Sequence, residues 1–360
     1  MRPLSDSSLT PKLFSGSLRA AVPRFSLALA FFAVAALTCA EEPSTTSISR
    51  EVKDVFDKSS KAVVKVRGTD EHGEFAGTGF FIDPAGTLYT AFSVGGDADS
   101  LSVDFEGKKY SARVMLTDVR SGIAILKADI ATPALPIGKS ESVEVATPVI
   151  MIGFPLDLPE TPSFGMIAGF DRKFLGRYFS TTHLRVNVAT QRGEAGAPIL
   201  NFKGEVIGIL VSSIENGSAC YALPIDAAEK IRNDFVRFGE ARHGWIGINV
   251  APAEKPVEGS TAEMTEIMKD TPAFGSGVQS GDILLQVGKT KVRQPEDVID
   301  ASFFITAGDT VPITVLRGHE KLTFDISADF HPASHHPAVI AAPGLNPSIP
   351  LRLDSVGRTP

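Results

Sequence analysis

Between residues 61 and 223 the chain is a succession of short apolar runs cut by Gly, Pro, Asp and Asn turns. No other feature constrains its fold as tightly. The runs fall at 62–66, 79–82, 101–105, 123–126, 149–153, 184–188 and 206–211. Many short strands with regular turn signals argue for β-barrels or a sandwich pair, so the chain is expected to be mainly β. Pro224-Ile225-Asp226 then opens a helix through Phe238, with Asp226 as the expected N-cap and Ala227, Ile231, Phe235 and Phe238 on its apolar face. Such a helix closes a domain.

A connection at 239–244 leads to a second pattern. Strands are expected at 245–250, 264–267, 283–287, 311–316 and 322–326, with a helix after Pro295 whose apolar face is Val298, Ala301, Phe304 and Ile305. This describes a small α+β domain with its own core, over residues 245–329. Beyond it, His331-Pro332-Ala333-Ser334-His335-His336-Pro337 leads into Pro-rich sequence, expected to be an unfolded tail over residues 330–360. Three histidines without a companion carboxylate or cysteine favour a solvated segment over a metal site, and no cofactor is expected.

At 360 residues there is room for two domains that each bury a core. A net charge of −7 supplies no basic field, which argues against a nucleic-acid partner. The N-terminus carries Arg2, Lys12, Arg19 and Arg24 against a single acid, Asp6, then an apolar run at 25–37 and Thr38-Cys39-Ala40. This reads as a secretory signal peptide over residues 1–40, cleaved after Ala40. The run is shorter than the roughly 20 residues of a spanning helix, and Ala36-Leu37-Thr38 is a poor match for lipidation at Cys39. A secreted or periplasmic location follows. Removing the leader leaves Cys220 as the only cysteine, so no intramolecular disulfide forms and Cys220 is expected to be a buried, inert thiol.

Amide hydrolysis by a serine needs a nucleophilic hydroxyl, an imidazole to carry its proton and a carboxylate to orient the imidazole. Three stretches carry the surroundings of such groups. They are Gly77-Thr78-Gly79-Phe80 followed by Tyr89-Thr90-Ala91-Phe92-Ser93-Val94, Gly122-Ile123-Ala124-Ile125-Leu126-Lys127, and Gly193-Glu194-Ala195-Gly196-Ala197-Pro198-Ile199-Leu200. They resemble the motifs of the HtrA/Deg family, a chymotrypsin-like double β-barrel followed by a PDZ domain, and place the first domain over residues 50–238. The resemblance puts Ser93 at the histidine position, Gly122 at the aspartate position and Ala195 at the nucleophile position. It also implies that the backbone of Gly193 and Ala195 persists as an oxyanion-type nest, with Glu194 adding negative charge beside it.

No histidine lies between Gly73 and Thr182 and no serine between Thr181 and Val211, so a local shift of register restores neither role. Asp118, four residues before Gly122, is left without an imidazole to orient, and His72 and His183 read as surface or loop residues. Losing one triad member leaves only about 10³–10⁴ over water from the oxyanion hole and binding. With all three replaced, the chain is expected to be a catalytically inactive homologue.

Residues 245 onward resemble an HtrA-type PDZ domain. Trp245-Ile246-Gly247-Ile248 fits the loop whose amides hold a peptide's terminal carboxylate, and Thr271-Pro272-Ala273, Gly277-Val278-Gln279-Ser280-Gly281-Asp282-Ile283-Leu284 and the stretch from Gly308 to Gly318 match further family marks. The resemblance implies a peptide site made by Trp245, Ile246, Gly247, Ile248, Val298, Ala301 and Ile305, selective for an apolar C-terminal residue. The favoured reading is a pseudoprotease that binds unfolded or C-terminally exposed polypeptides as chaperone, adaptor or regulator. A homotrimer, or a hetero-oligomer with active relatives, is the assembly the family implies. A residual serine-type endopeptidase and a non-catalytic structural scaffold are the alternatives.

Overall fold

The computed structural model describes residues 45–175, 177–214, 217–331, 346–347 and 351–352. The leader, its cleavage site, His335 and His336 lie outside them. Among the described residues no helix is long and apolar enough to cross a membrane.

Helix α1 (Thr45–Ser59) leads into β1 (Val63–Asp70), β2 (Gly73–Phe81), β3 (Thr87–Ala91), the one-turn helix α2 (Phe92–Gly95), β4 (Ser100–Phe105), β5 (Lys108–Asp118) and β6 (Ile123–Ala128). These strands are ordered β1-β4-β5-β6-β3-β2, and antiparallel pairing of β1 with β2 closes them into a barrel. Closure removes the exposed edges that an open sheet would present. The second barrel uses β7 (Pro148–Gly153), β8 (Thr161–Phe174), β9 (Arg177–Val186), β10 (Pro198–Leu200), β11 (Val206–Ile214) and β12 (Ala219–Pro224), ordered β10-β7-β8-β9-β12-β11 and closed by β10 on β11. The double barrel that the resemblance implies is therefore present. Each barrel has its own buried cluster, and a third cluster between them gathers Phe80, Tyr89, Ile150, Ile152 and Ile209 with Val55 of α1.

Helix α3 (Ile225–Phe238) closes the second barrel, and Gly239 caps its end at φ 80°. Pro224 occupies the N-cap, so Asp226 is not the cap expected from sequence. Its carboxylate instead accepts hydrogen bonds from the Ser140 amide and hydroxyl and the Glu141 amide, tying a distant loop to the helix start.

The smaller domain contains β13 (Gly244–Trp245), β14 (Ile248–Val257), β15 (Ser260–Ile267), β16 (Ile283–Val287), β17 (Thr290–Lys291), α4 (Pro295–Phe303), β18 (Thr310–Arg317), β19 (Glu320–Ser327) and β20 (Asp329–Phe330). Strand β14 ends its sheet, with the order β14-β15-β16-β18-β19. Two short strands follow, β21 (Asn346–Pro347) on β11 and β22 (Leu351–Arg352) on β2. These four residues fall in the stretch expected to be an unfolded tail.

The connection at 239–244 is not a tether. His243 is 2% exposed and its Nε2 lies 2.8 Å from Asp118 Oδ1 at the end of β5. Phe303 of α4 is fully buried in the cluster shared by the two barrels. Arg172 on β8 bridges to Asp297 and Asp300 of α4, and Thr182 donates to Asp300 through its hydroxyl.

Candidate functional site

The three positions expected to carry a triad converge where the barrels meet. Ser93 sits half-buried in α2, and the adjacent Phe92 amide donates to the Gly122 carbonyl at 2.8 Å. Ala195 is fully buried and packs in one cluster with Ala91 and Val94 on either side of Ser93. Gly196 is so close to this turn that a Cβ there would lie 2.6 Å from the Ala91 nitrogen. Gly122 adopts φ 75°, with Val211 at 3.6 Å as the nearest side chain to an added Cβ. Space for a side chain remains where the carboxylate would stand.

The loop bearing Ala195 is held by main chain. Thr78 donates its amide to the Ala195 carbonyl at 2.9 Å and its hydroxyl to the Gly193 carbonyl at 2.8 Å, and its hydroxyl also accepts from the Phe154 amide. Gly193 has φ 97°, and a Cβ there would meet the Phe154 carbonyl oxygen at 2.4 Å. Arg192 turns its carbonyl to the Leu156 amide at 2.7 Å. The amides of Gly193 and Ala195 form no hydrogen bond among the described residues. Two donors left unpaired in a buried turn are the arrangement an oxyanion-type nest requires. Sequence reasoning missed Thr78 as the hub of this turn, because its role rests on contacts across more than a hundred residues.

Glu194 departs from expectation. Its side chain is not a solvated charge beside the nest: it is 2% exposed and accepts the Gln191 amide at 2.6 Å. Burial pushes its carboxyl up to about 7. Burial, and then the Glu194 charge, push the Cys220 thiol well up, so Cys220 is an un-ionised buried thiol.

The described histidines all have other company. His72 stands beside Asp70 and Glu71 in a hairpin, and His319 lies in the turn between β18 and β19. His183 is buried, against the surface or loop position expected. It stacks on Phe179 at 4.4 Å with Nδ1 2.8 Å from the Thr181 carbonyl, and burial lowers it to about 4. His331 lies beside Trp245, its ring centroid 6.5 Å away, and is lowered to about 4 by burial and then by the charges of Arg120 and His243. Asp118 does have an imidazole partner, contrary to the expectation from its neighbours in sequence. Burial alone would raise its carboxyl, but the hydrogen bond and charge of His243 hold it below the usual range. That pair is buried, with His243 2% and Asp118 7% exposed.

The second candidate is a groove of about 360 Å³ between β14 and α4. Trp245, Ile246, Gly247, Ile248, Val298 and Ile305 line it as expected. Ala301 does not: it is buried in the domain core and faces a separate cleft. Pro295 at the start of α4 sets the helix phase so that Val298, Ile299 and Ser302 face the groove and Ala301 faces inward. Tyr178, reaching over from β9, was not anticipated. Gly247 has φ 83°, and a Cβ there would lie 2.3 Å from Thr271. The Ile246 and Gly247 carbonyls accept from the Ala273 and Met268 amides, while the amides of Ile246 and Gly247 donate to nothing among the described residues. With β14 at the sheet edge, an extended peptide has a strand to pair with and two amides to meet its carboxylate.

Comparison with known proteins agrees with both halves. Residues 77–209 match the family described as trypsin-like peptidase domain, and residues 244–328 match the PDZ domain. A probable periplasmic serine endoprotease DegP-like of Halomonas elongata is 28% identical over 282 residues, covering 74% of this chain and 59% of that protein. The serine endoprotease DegS of Escherichia coli is 26% identical over 303 residues, covering 77% of this chain and 85% of that protein. The chain thus spans 59% of the length of the DegP-like relative and most of the length of DegS. Among solved structures, the HtrA-type protease AlgW with tripeptide superposes with a TM-score of 0.67 at 21% identity, covering 78% of this chain and 97% of that one.

Proposed function

The chain is a trypsin-like peptidase domain followed by a PDZ domain, the HtrA/Deg arrangement, and from that premise we propose that it is a secreted or periplasmic pseudoprotease that binds polypeptides without cutting them. The reading is carried by Ser93, Gly122 and Ala195, which the resemblance assigns to the triad positions and which lie around the Thr78-held turn. A hydroxyl and a methyl group can neither take up a proton nor attack a carbonyl at neutral pH as a histidine–serine pair does. The PDZ groove supports capture of exposed C-termini with an apolar last residue, the Ile246 and Gly247 amides taking the carboxylate and Ile246, Ile248, Val298 and Ile305 the side chain. Acting as chaperone, adaptor or regulator, alone as a homotrimer or with active relatives, follows from that capture. The periplasmic naming of the relatives and the basic leader with its apolar run support the location.

The test follows peptide release and light scattering together on a thermally unfolded substrate, with the chain freed of residues 1–40. The triple variant Ser93→His, Gly122→Asp, Ala195→Ser is the comparator. Suppressed aggregation with no peptide release by the unsubstituted chain is expected. Cleavage by that chain that survives repurification overturns the reading.

A further inference from the structure

The end of α4 turns its two phenylalanines in different directions. Phe303 is fully buried, whereas Phe304 is 44% exposed and opens onto a cleft between the small domain and the second barrel. That cleft holds about 900 Å³, more than twice the groove of about 360 Å³ beside β14. From the barrel side, Phe170 of β8 and Leu184 of β9 line it. The two are register partners on adjacent strands, so their side chains share one face, and Phe170 is 41% exposed there. Single exposed apolar residues are ordinary on a surface. Two phenylalanines from different domains opening onto one deep cleft are the apolar wall of a ligand site.

Charge around that wall is one-sided. Glu141, Asp226, Asp300 and Asp309 line the cleft, and Lys289 is the only base among the described lining residues. Asp300 is paired with Arg172 and takes the Thr181 and Thr182 hydroxyls, and Asp309 faces Arg237 at 3.3 Å. Asp226 has only neutral donors, the Ser140 amide and hydroxyl and the Glu141 amide. The Glu141 carboxylate has no hydrogen bond or ion pair among the described residues. Two neighbouring carboxylates without a cation, beside exposed aromatic rings, suit an ammonium group on an apolar body, since both the charges and the ring faces attract it. Strands β8, β9, β16 and β18 all lie inside their sheets, so they offer an extended peptide no free edge to pair with. The volume falls within the roughly 300–1,000 Å³ of small-molecule sites.

We propose that the cleft between α4 and the second barrel binds a small amphipathic amine, its ammonium facing Glu141 and Asp226 and its apolar body packed on Phe170, Leu184 and Phe304. This site depends neither on the pseudoprotease reading nor on peptide capture. Its lining includes none of Ser93, Gly122 and Ala195, and it shares only Val287 and Ile305 with the groove beside β14. An amine carries no carboxylate for the Ile246 and Gly247 amides to hold. Because residues of both domains line the cleft, a bound amine stabilises their docked arrangement.

The test titrates the full chain with phenylbutylamine, phenylbutanol and phenylbutyrate, three probes with one apolar body and different head groups, and follows methyl resonances by NMR. Millimolar phenylbutylamine is expected to move the methyls of Val143, Leu184 and Val311, which line this cleft and not the groove beside β14. It should bind there at least tenfold more tightly than the alcohol or the acid. Glu141→Lys is expected to weaken the amine at least tenfold and Phe170→Ala at least threefold. Both side chains are exposed, so the spectra of the two variants should remain those of the folded chain. Unmoved methyls in the cleft overturn the proposal, as does movement at Ile246, Ile248 and Val298 in their place. Equal binding of the three probes overturns the assignment of a cation. A basic, phenylalanine-containing peptide blocked at both ends that binds the cleft at least tenfold more tightly than phenylbutylamine overturns the small occupant in favour of a polypeptide.

Discussion

The Ala195 turn and the PDZ loop are built alike and have been kept differently. Each centres on a glycine at positive φ, Gly193 and Gly247, backed so closely that a Cβ would strike Phe154 or Thr271. Each leaves two neighbouring amides without an acceptor among the described residues. Around Gly247, Trp245, Ile246, Ile248, Val298 and Ile305 line the groove. Around Gly193, on the proposed reading, Ser93, Gly122 and Ala195 stand in place of the side chains that would transform a ligand. The difference separates two kinds of chemistry: holding a peptide is main-chain work that survives substitution, and cutting one depends on three side chains.

The comparison breaks first at Gly193→Val. A β-branched residue at φ 97°, with its Cβ 2.4 Å from the Phe154 carbonyl, is expected to cost about 3 kcal/mol or more in chemical denaturation. Affinity for a peptide ending in an apolar residue should be unchanged at temperatures where the variant is folded; a parallel loss of affinity would mean the two nests are coupled. Next comes Gly247→Val, which should weaken the same peptide about 100-fold in fluorescence polarisation, roughly 3 kcal/mol. Parental affinity in that variant would remove the PDZ loop from the binding reading.

The smallest effect concerns Glu194. Its folded carboxyl titrates near 7 against an ordinary value of 4.5, so between those values the folded chain keeps a proton that the unfolded chain releases. Stability should therefore fall as pH rises from about 4.5 to about 7 and level off above. Glu194→Gln should remove that part of the slope and be more stable than the parent by about 1–2 kcal/mol at pH 8, with little difference near pH 4.5. Unchanged pH dependence would show that Glu194 ionises freely and that the cleft nest does face a negative charge.

The strands were legible because barrel walls impose a period of two, with turn residues between them, over short spans of sequence. The PDZ groove was legible nearly residue by residue, since Trp245-Ile246-Gly247-Ile248 carries its geometry locally. Ala301 was misplaced because helix periodicity alone does not say which of two adjacent apolar faces meets the core and which the groove. Asp226 was misread because its partners, Ser140 and Glu141, lie 86 and 85 residues away and outcompete local capping. His243 was invisible for the same reason: Asp118, 125 residues upstream, turns a stretch that reads as spacer into part of a buried, hydrogen-bonded seam.

That seam sets terms for how such a molecule can change. A connection that only joined two domains would tolerate an inserted residue or an exchanged partner domain. Here one added residue between Gly239 and His243 would pull the imidazole off Asp118 and leave that buried carboxylate one hydrogen bond short, at a cost of about 1–3 kcal/mol. The barrels and the small domain are thus bound to be inherited as a single unit, and a grafted PDZ domain would have to leave His243 of the connection seated on Asp118.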